Sequence, residues 1–162
     1  MKLEIKHLAS YLEHKVVLSY TDCLTKRKRN AFLSGISNKE IETTYLRKIK
    51  GCSGDYISWD GNNNVHDLQV KPILFPLSSL TKEINFNGET FVPIYKIYEF
   101  EQWDTDELYE IINNGTIEGI YNDLNLIPYS HAEKLFEWKI DVFGLIDAGL
   151  AEPVTEDFNP YK

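Results

Sequence analysis

Apolar and polar positions follow two different rhythms along this chain. In the first half they come as short β-branched and aromatic runs separated by turn residues, a strand pattern. Val16 to Tyr20 (VVLSY) is the first such run, and Ala31 to Ile36 is its predicted partner. Ile41 to Ile49 (IETTYLRKI) and Tyr56 to Trp59 (YISW) predict further strands, separated by the turn residues GCSG and followed by the breaker cluster DGNNN. Val65 to Phe75 reads as extended; Pro72 and Pro76 exclude a regular helix there and argue against a central strand. In INFNGETFV, Asn87 and Gly88 supply the two positive-φ residues of a type I′ turn, which predicts a β-hairpin. IKHLASYL departs from this rhythm, because Ile5, Leu8 and Leu12 fall at helical spacing.

The second half switches to helical periodicity. In WDTDELYEIINNG, Asp104 and Glu107 form a capping box, Leu108, Ile111 and Ile112 share a face, and Gly115 closes the helix. Ile117, Ile120, Tyr121 and Leu124 repeat the spacing. SHAEKLFEWKIDVFGLIDAG offers Ser130 and Glu133 as a second capping box and predicts a helix to about Ala148, bent at Gly144 and ending at Gly149. Trp138, Ile140 and Leu145 lie off its apolar stripe, so burial on more than one side is expected. The tail EPVTEDFNPYK reads as irregular.

Strands followed by helices, rather than alternating with them, predict an α+β fold, with the short N-terminal antiparallel strands able to curl into a small open barrel. The 162 residues suit a single domain, mainly β over residues 1–94 and mainly helical over residues 95–162. Hydrophobic content of 43% with 26% charged residues is globular composition. Aromatics are abundant at 13%, which fits half-buried sheet packing and leaves a binding surface as the alternative.

No apolar run approaches the roughly 18 residues of a membrane span. The start, MKLEIKHLASYLEHK, is charged throughout and lacks a signal-peptide core, so the expected location is cytoplasmic, with no membrane partner. In a reducing compartment Cys23 and Cys52 are expected as free thiols, and two distant cysteines make no zinc site.

Charge is strongly asymmetric within the net −8: residues 1–81 carry 12 Lys or Arg against 8 Asp or Glu, residues 82–162 carry 5 against 17. The stretch TKRKRN concentrates Lys26, Arg27, Lys28 and Arg29 between two predicted strands. Its simplest placement is a hairpin tip with all four side chains in water. A nucleic-acid contact, extended by Arg47, Lys48 and Lys50, is a second reading, and a dock for the chain's own acidic half or an acidic partner is a third. The acidic run EFEQWDTDE lacks the calcium-loop spacing and is assigned to favourable charge at a helix N-terminus. His7, His14, His66 and His131 show no metal-ligand spacing, no nucleophile motif surrounds Cys52, His66 and Asp67, and no phosphate-binding glycine loop is present. No catalytic residue, metal ligand or cofactor is therefore assigned, and binding is favoured over catalysis. Val142, Phe143, Leu145 and Ile146 form an apolar run that could anchor a partner, with core packing as the other reading.

Two segments, DLQVKPILFPLSSL (67–80) and WKIDVFGLIDAGLA (138–151), resemble segments of short phage- and prophage-encoded proteins of anaerobic gut bacteria. The resemblance implies a phage setting and expression inside a bacterial cell, and it brings no activity or cofactor with it. The expectation is an accessory or adaptor protein acting through protein contacts, the alternative being a nucleic-acid-associated protein that uses the Lys26 to Arg29 turn.

Overall fold

The computed structural model describes residues 3–21, 27–36, 40–45, 56–58, 70–101, 121 and 127–162. The fold is α+β. Its contacts divide the chain into two compact units, one of Met1–Leu74 and Leu145–Pro153, the other of Phe75–Gly144 and Val154–Lys162.

In the first unit a short helix, α1 (Ile5–Ala9), runs on into tight turns in which the Tyr11 amide donates to the Leu8 carbonyl and the Leu12 amide to the Ala9 carbonyl. Leu8 is fully buried as the helical spacing of IKHLASYL predicts, but Ile5 and Leu12 are only half-buried, and Tyr11, beyond the end of the helix, takes the second fully buried position. Lys15, at φ 55°, reverses the chain into β1 (Val17–Thr21). Four further strands, β2 (Lys28–Ile36), β3 (Glu40–Tyr45), β4 (Tyr56–Ser58) and β5 (Lys71–Leu74), join it in one sheet with β8 (Glu152–Pro153). The order is β4-β3-β2-β1-β5-β8, an open sheet among the described residues. β1 is flanked by β2 and β5, and Val17, Leu18, Ser19 and Tyr20 are all buried. A continuous buried run is the expected signature of an interior strand.

Two features of this sheet depart from the sequence reading. β5 is not an edge strand despite Pro72. It pairs antiparallel with β1 through Leu18 and Pro72, and parallel with β8. The register of β8 reaches only Ile73 and Leu74, so the residue without an N–H stays outside that ladder. The β5–β8 pair is also parallel, where only antiparallel strands were expected.

In the second unit Phe75 makes a parallel bridge to Ile140, with the Phe75 amide donating to the Lys139 carbonyl at 2.8 Å and the Asp141 amide to the Phe75 carbonyl at 2.9 Å. A 3-10 helix (Leu77–Thr81) follows, burying Leu80. Then comes the hairpin of β6 (Ile84–Phe86) and β7 (Glu89–Phe91), turned by Asn87 at φ 52° and Gly88 at φ 79° as its sequence predicts. Helix α2 (Pro93–Glu101) opens on proline, tolerated at a first helical position, and buries Ile94, Ile97 and Tyr98 on one face. The periodic run from Asp104 to Leu124 lies outside the described residues apart from Tyr121, which is buried.

The last helix is shorter than its sequence predicts. α3 spans Tyr129–Glu137, begins after Pro128 rather than at a Ser130 cap, and does not continue to Ala148. Lys139 adopts φ 60°, the Lys139 amide donates to the Phe136 carbonyl and the Ile140 amide to the Leu135 carbonyl. These are the two bonds of a Schellman motif with a lysine in the left-handed position usually held by glycine. Ile140 and Leu135, the two positions whose apolar side chains usually accompany this motif, are both fully buried. Beyond the break at Gly144 (φ 65°), a separate turn of the first unit repeats the pattern: the Gly149 amide donates to the Ile146 carbonyl and the Leu150 amide to the Leu145 carbonyl. The glycine stop read at Gly149 thus exists, but it closes a different turn.

Candidate functional site

Strand alternation decides where the basic run points. Thr21 pairs with Lys28, Tyr20 with Arg29 and Ser19 with Asn30, so Lys28 and Asn30 share one face of the sheet and Arg29 takes the other. The run therefore does not sit wholly at a hairpin tip. Lys28 and Arg29 are residues of β2, Arg29 is half-buried, and Arg27 is exposed just before the strand. Lys26, Arg47, Lys48 and Lys50 lie outside the described residues.

Lys28 is not held out alone. Its Nζ lies 2.8 Å from the Glu152 carboxylate, and the Ser19 hydroxyl donates to the same carboxylate at 3.2 Å. Glu152 stands opposite Ile73 in β8, two positions along from Lys71, which is the register partner of Ser19. The face thus gathers Lys28, Ser19, Lys71 and Glu152 from four strands. A carboxylate of the acidic half serves a cation of the basic half.

In the second unit the side chains of chemical interest are aromatic and cationic. Lys139 is only 3% exposed. Its Nζ lies 4.9 Å from the Phe86 ring centroid and 5.7 Å from that of Tyr161, and it donates to the Glu137 backbone carbonyl at the end of α3. A cation there meets the negative end of the helix and two ring faces. Burial nevertheless dominates, pushing the Lys139 ammonium down from its usual 10.5 to about 8, with the Glu137 carboxylate acting against the shift.

A second buried group lies on α3. His131 Nδ1 and the Tyr121 hydroxyl are 3.0 Å apart, the two rings stack at 6.1 Å, and Tyr98 presents an edge at 6.2 Å. His7 has a structural role in the first unit, its Nδ1 accepting the Glu4 backbone N–H at 3.1 Å. Among the described residues no His, Cys, Asp and Glu side chains group as a metal site would require. The Cys52, His66 and Asp67 set lies outside the described residues.

Of the apolar run read as a possible partner anchor, Val142 and Leu145 are buried, Phe143 is half-buried and stacks on Phe136 at 5.8 Å, and Ile146 is half-buried. Among the described residues the exposed large apolar side chains are elsewhere, at Tyr129 (81%) and Phe158 (41%).

No protein-family model, curated protein or solved structure matches the chain. Sequence reasoning missed Lys139, Glu152, Asn159 and Tyr161. A signal existed for two of them: a lysine inside the apolar run WKIDVFGL, and an aromatic in an otherwise polar tail.

Proposed function

We propose that the protein is a non-catalytic accessory or adaptor protein of a phage or prophage, working inside the bacterial cell through protein–protein contacts. The observation that carries this reading is the pair of Lys28 and Glu152 at 2.8 Å. A cation of the basic run already reads a carboxylate of this chain, and the neighbouring cations offer the same chemistry to carboxylates on a partner. The surplus of positive charge in residues 1–81 and of negative charge in residues 82–162 supports an oriented contact. Tyr129, 81% exposed at the start of α3, adds an aromatic of the type that anchors interfaces.

Crosslinking followed by affinity purification from the native bacterial host tests it. A specific protein partner whose recovery falls when salt is raised is expected. Recovery of no specific partner would overturn the reading.

A further inference from the structure

Among residues 154–162, all described, Tyr161 is the one buried side chain, at 5% exposure; Thr155 to Phe158 form an exposed turn in which the Thr155 and Phe158 backbones bond each other reciprocally. The segment that follows docks on the hairpin. The Asn87 amide donates to the Tyr161 carbonyl at 2.6 Å, and the Asn159 side-chain amide donates to the Asn85 carbonyl at 2.7 Å. The Tyr161 ring lies 6.1 Å from Phe75 and 5.8 Å from Phe86, and Lys139 approaches its face. Asn159 also organises the segment, because its Oδ1 accepts the Tyr161 amide at 2.9 Å across Pro160. One buried aromatic, flanked by backbone and side-chain hydrogen bonds and pre-shaped by a proline, is how a short linear peptide binds a receptor.

We infer that the cleft lined by Phe75, Phe86, Asn85, Asn87 and Lys139 is a peptide-recognition site, occupied in one chain by its own Asn159–Tyr161 and able to take the same segment from a second copy. A second copy is the partner whose chemistry the structure supplies, since each contact made within one chain can be made between two at no loss of complementarity. The exposed turn at Thr155–Phe158 is the hinge, as few buried groups hold it. In isolation the intramolecular arrangement wins, because a short tether gives an effective concentration of about millimolar. Exchange is therefore a property of crowded or tethered copies. This inference rests on the reading of the protein as one that works through protein contacts, and names one partner for it.

The probe is a fluorescently labelled peptide of residues 154–162, titrated into the full-length Tyr161→Ala chain, whose cleft lacks its own anchor. Saturable binding is expected, falling at least about tenfold when the peptide carries the same Tyr161→Ala change. No binding to a Tyr161→Ala chain that retains its circular dichroism would overturn the proposal. If that variant does not fold, wild-type chains labelled at the tail with donor and acceptor dyes are mixed at high concentration. Energy transfer that the unlabelled peptide competes away is expected, and none after prolonged incubation would overturn the proposal. Either failure leaves recovery of a host partner untouched, so the two readings fail separately.

Discussion

The Nζ of Lys139 stands 4.9 Å from the centre of the Phe86 ring, and the backbone that delivers it there is left-handed, at φ 60°. One residue therefore ends helix α3 and places a cation among aromatic rings. Both tasks cost free energy: a non-glycine residue in the left-handed region costs about 1–2 kcal/mol, and burial works against the ammonium.

The first prediction concerns pH. Lys139 is lowered from 10.5 to about 8 in the folded protein, chiefly by desolvation. Between these values the unfolded chain holds a proton that the folded chain has released, so stability rises with pH across that window. Below pH 8 both states are protonated and the penalty is present in full, about 3 kcal/mol by the usual conversion of one pKa unit. Replacing Lys139 with Met keeps the apolar stem and removes the titration. Urea unfolding of wild type and Lys139→Met from pH 7 to 10.5 should show a difference that shrinks as pH rises, with the variant no less stable at pH 7. A pH-independent difference would contradict the assignment.

The second prediction separates the partners of Glu152. Lys28 is largely exposed and its ion pair is worth about 0–1 kcal/mol, whereas Ser19 is 2% exposed and its hydroxyl donates to the same carboxylate. Losing that acceptor leaves a buried hydroxyl to desolvation, at about 1–3 kcal/mol. Glu152→Ala should therefore destabilise more than Lys28→Ala in chemical denaturation, and only the Lys28→Ala effect should fade wholly in high salt. Equal losses would mean that the carboxylate serves the ion pair alone.

Much of this fold is legible in local chemistry, and what is not depends on long-range pairing. The Asn87–Gly88 turn, the buried run in β1 and the helical spacing around Leu8 are decided by neighbouring residues, and they appear where the sequence places them. Pro72 misleads because its tolerance depends on which residues of β5 the distant β8 reaches. The end of α3 misleads because a lysine occupies a position that glycine signals, while the apolar spacing runs on past it to Ile146. Helix α2 was readable from Pro93 and the spacing of Ile94, Ile97 and Tyr98, but its aromatic content resembles that of the preceding strands. Lys28 was singled out for its charge; its partner Glu152 is 124 residues away, beyond the reach of any local pattern.

The third prediction tests the hairpin turn. Gly88 sits at φ 79° with open space where a Cβ would stand, so the cost of Gly88→Ala is conformational rather than steric crowding. A loss of about 1 kcal/mol is expected in thermal or urea unfolding. A neutral result would show that the turn relaxes into another type. Because the Asn87 amide holds the Tyr161 carbonyl, the same variant should raise hydrogen exchange at Asn87.

The fourth prediction concerns Tyr121 and His131. Their ring stacking, at 6.1 Å and 16°, is independent of the phenol oxygen, whereas the 3.0 Å contact with Nδ1 requires it. Tyr121→Phe therefore retains the packing and deletes one buried hydrogen bond, at an expected cost of about 1–2 kcal/mol. His131→Phe retains a ring beside Tyr98 and Tyr121 but leaves the buried phenol hydroxyl without this nitrogen. If the contact is a hydrogen bond that matters, the double variant should cost less than the sum of the singles, because both singles remove the same contact and it can be lost only once. Additive losses in urea unfolding would mean that the two residues contribute through packing alone, and that the shared geometry of phenol and imidazole carries no coupling energy.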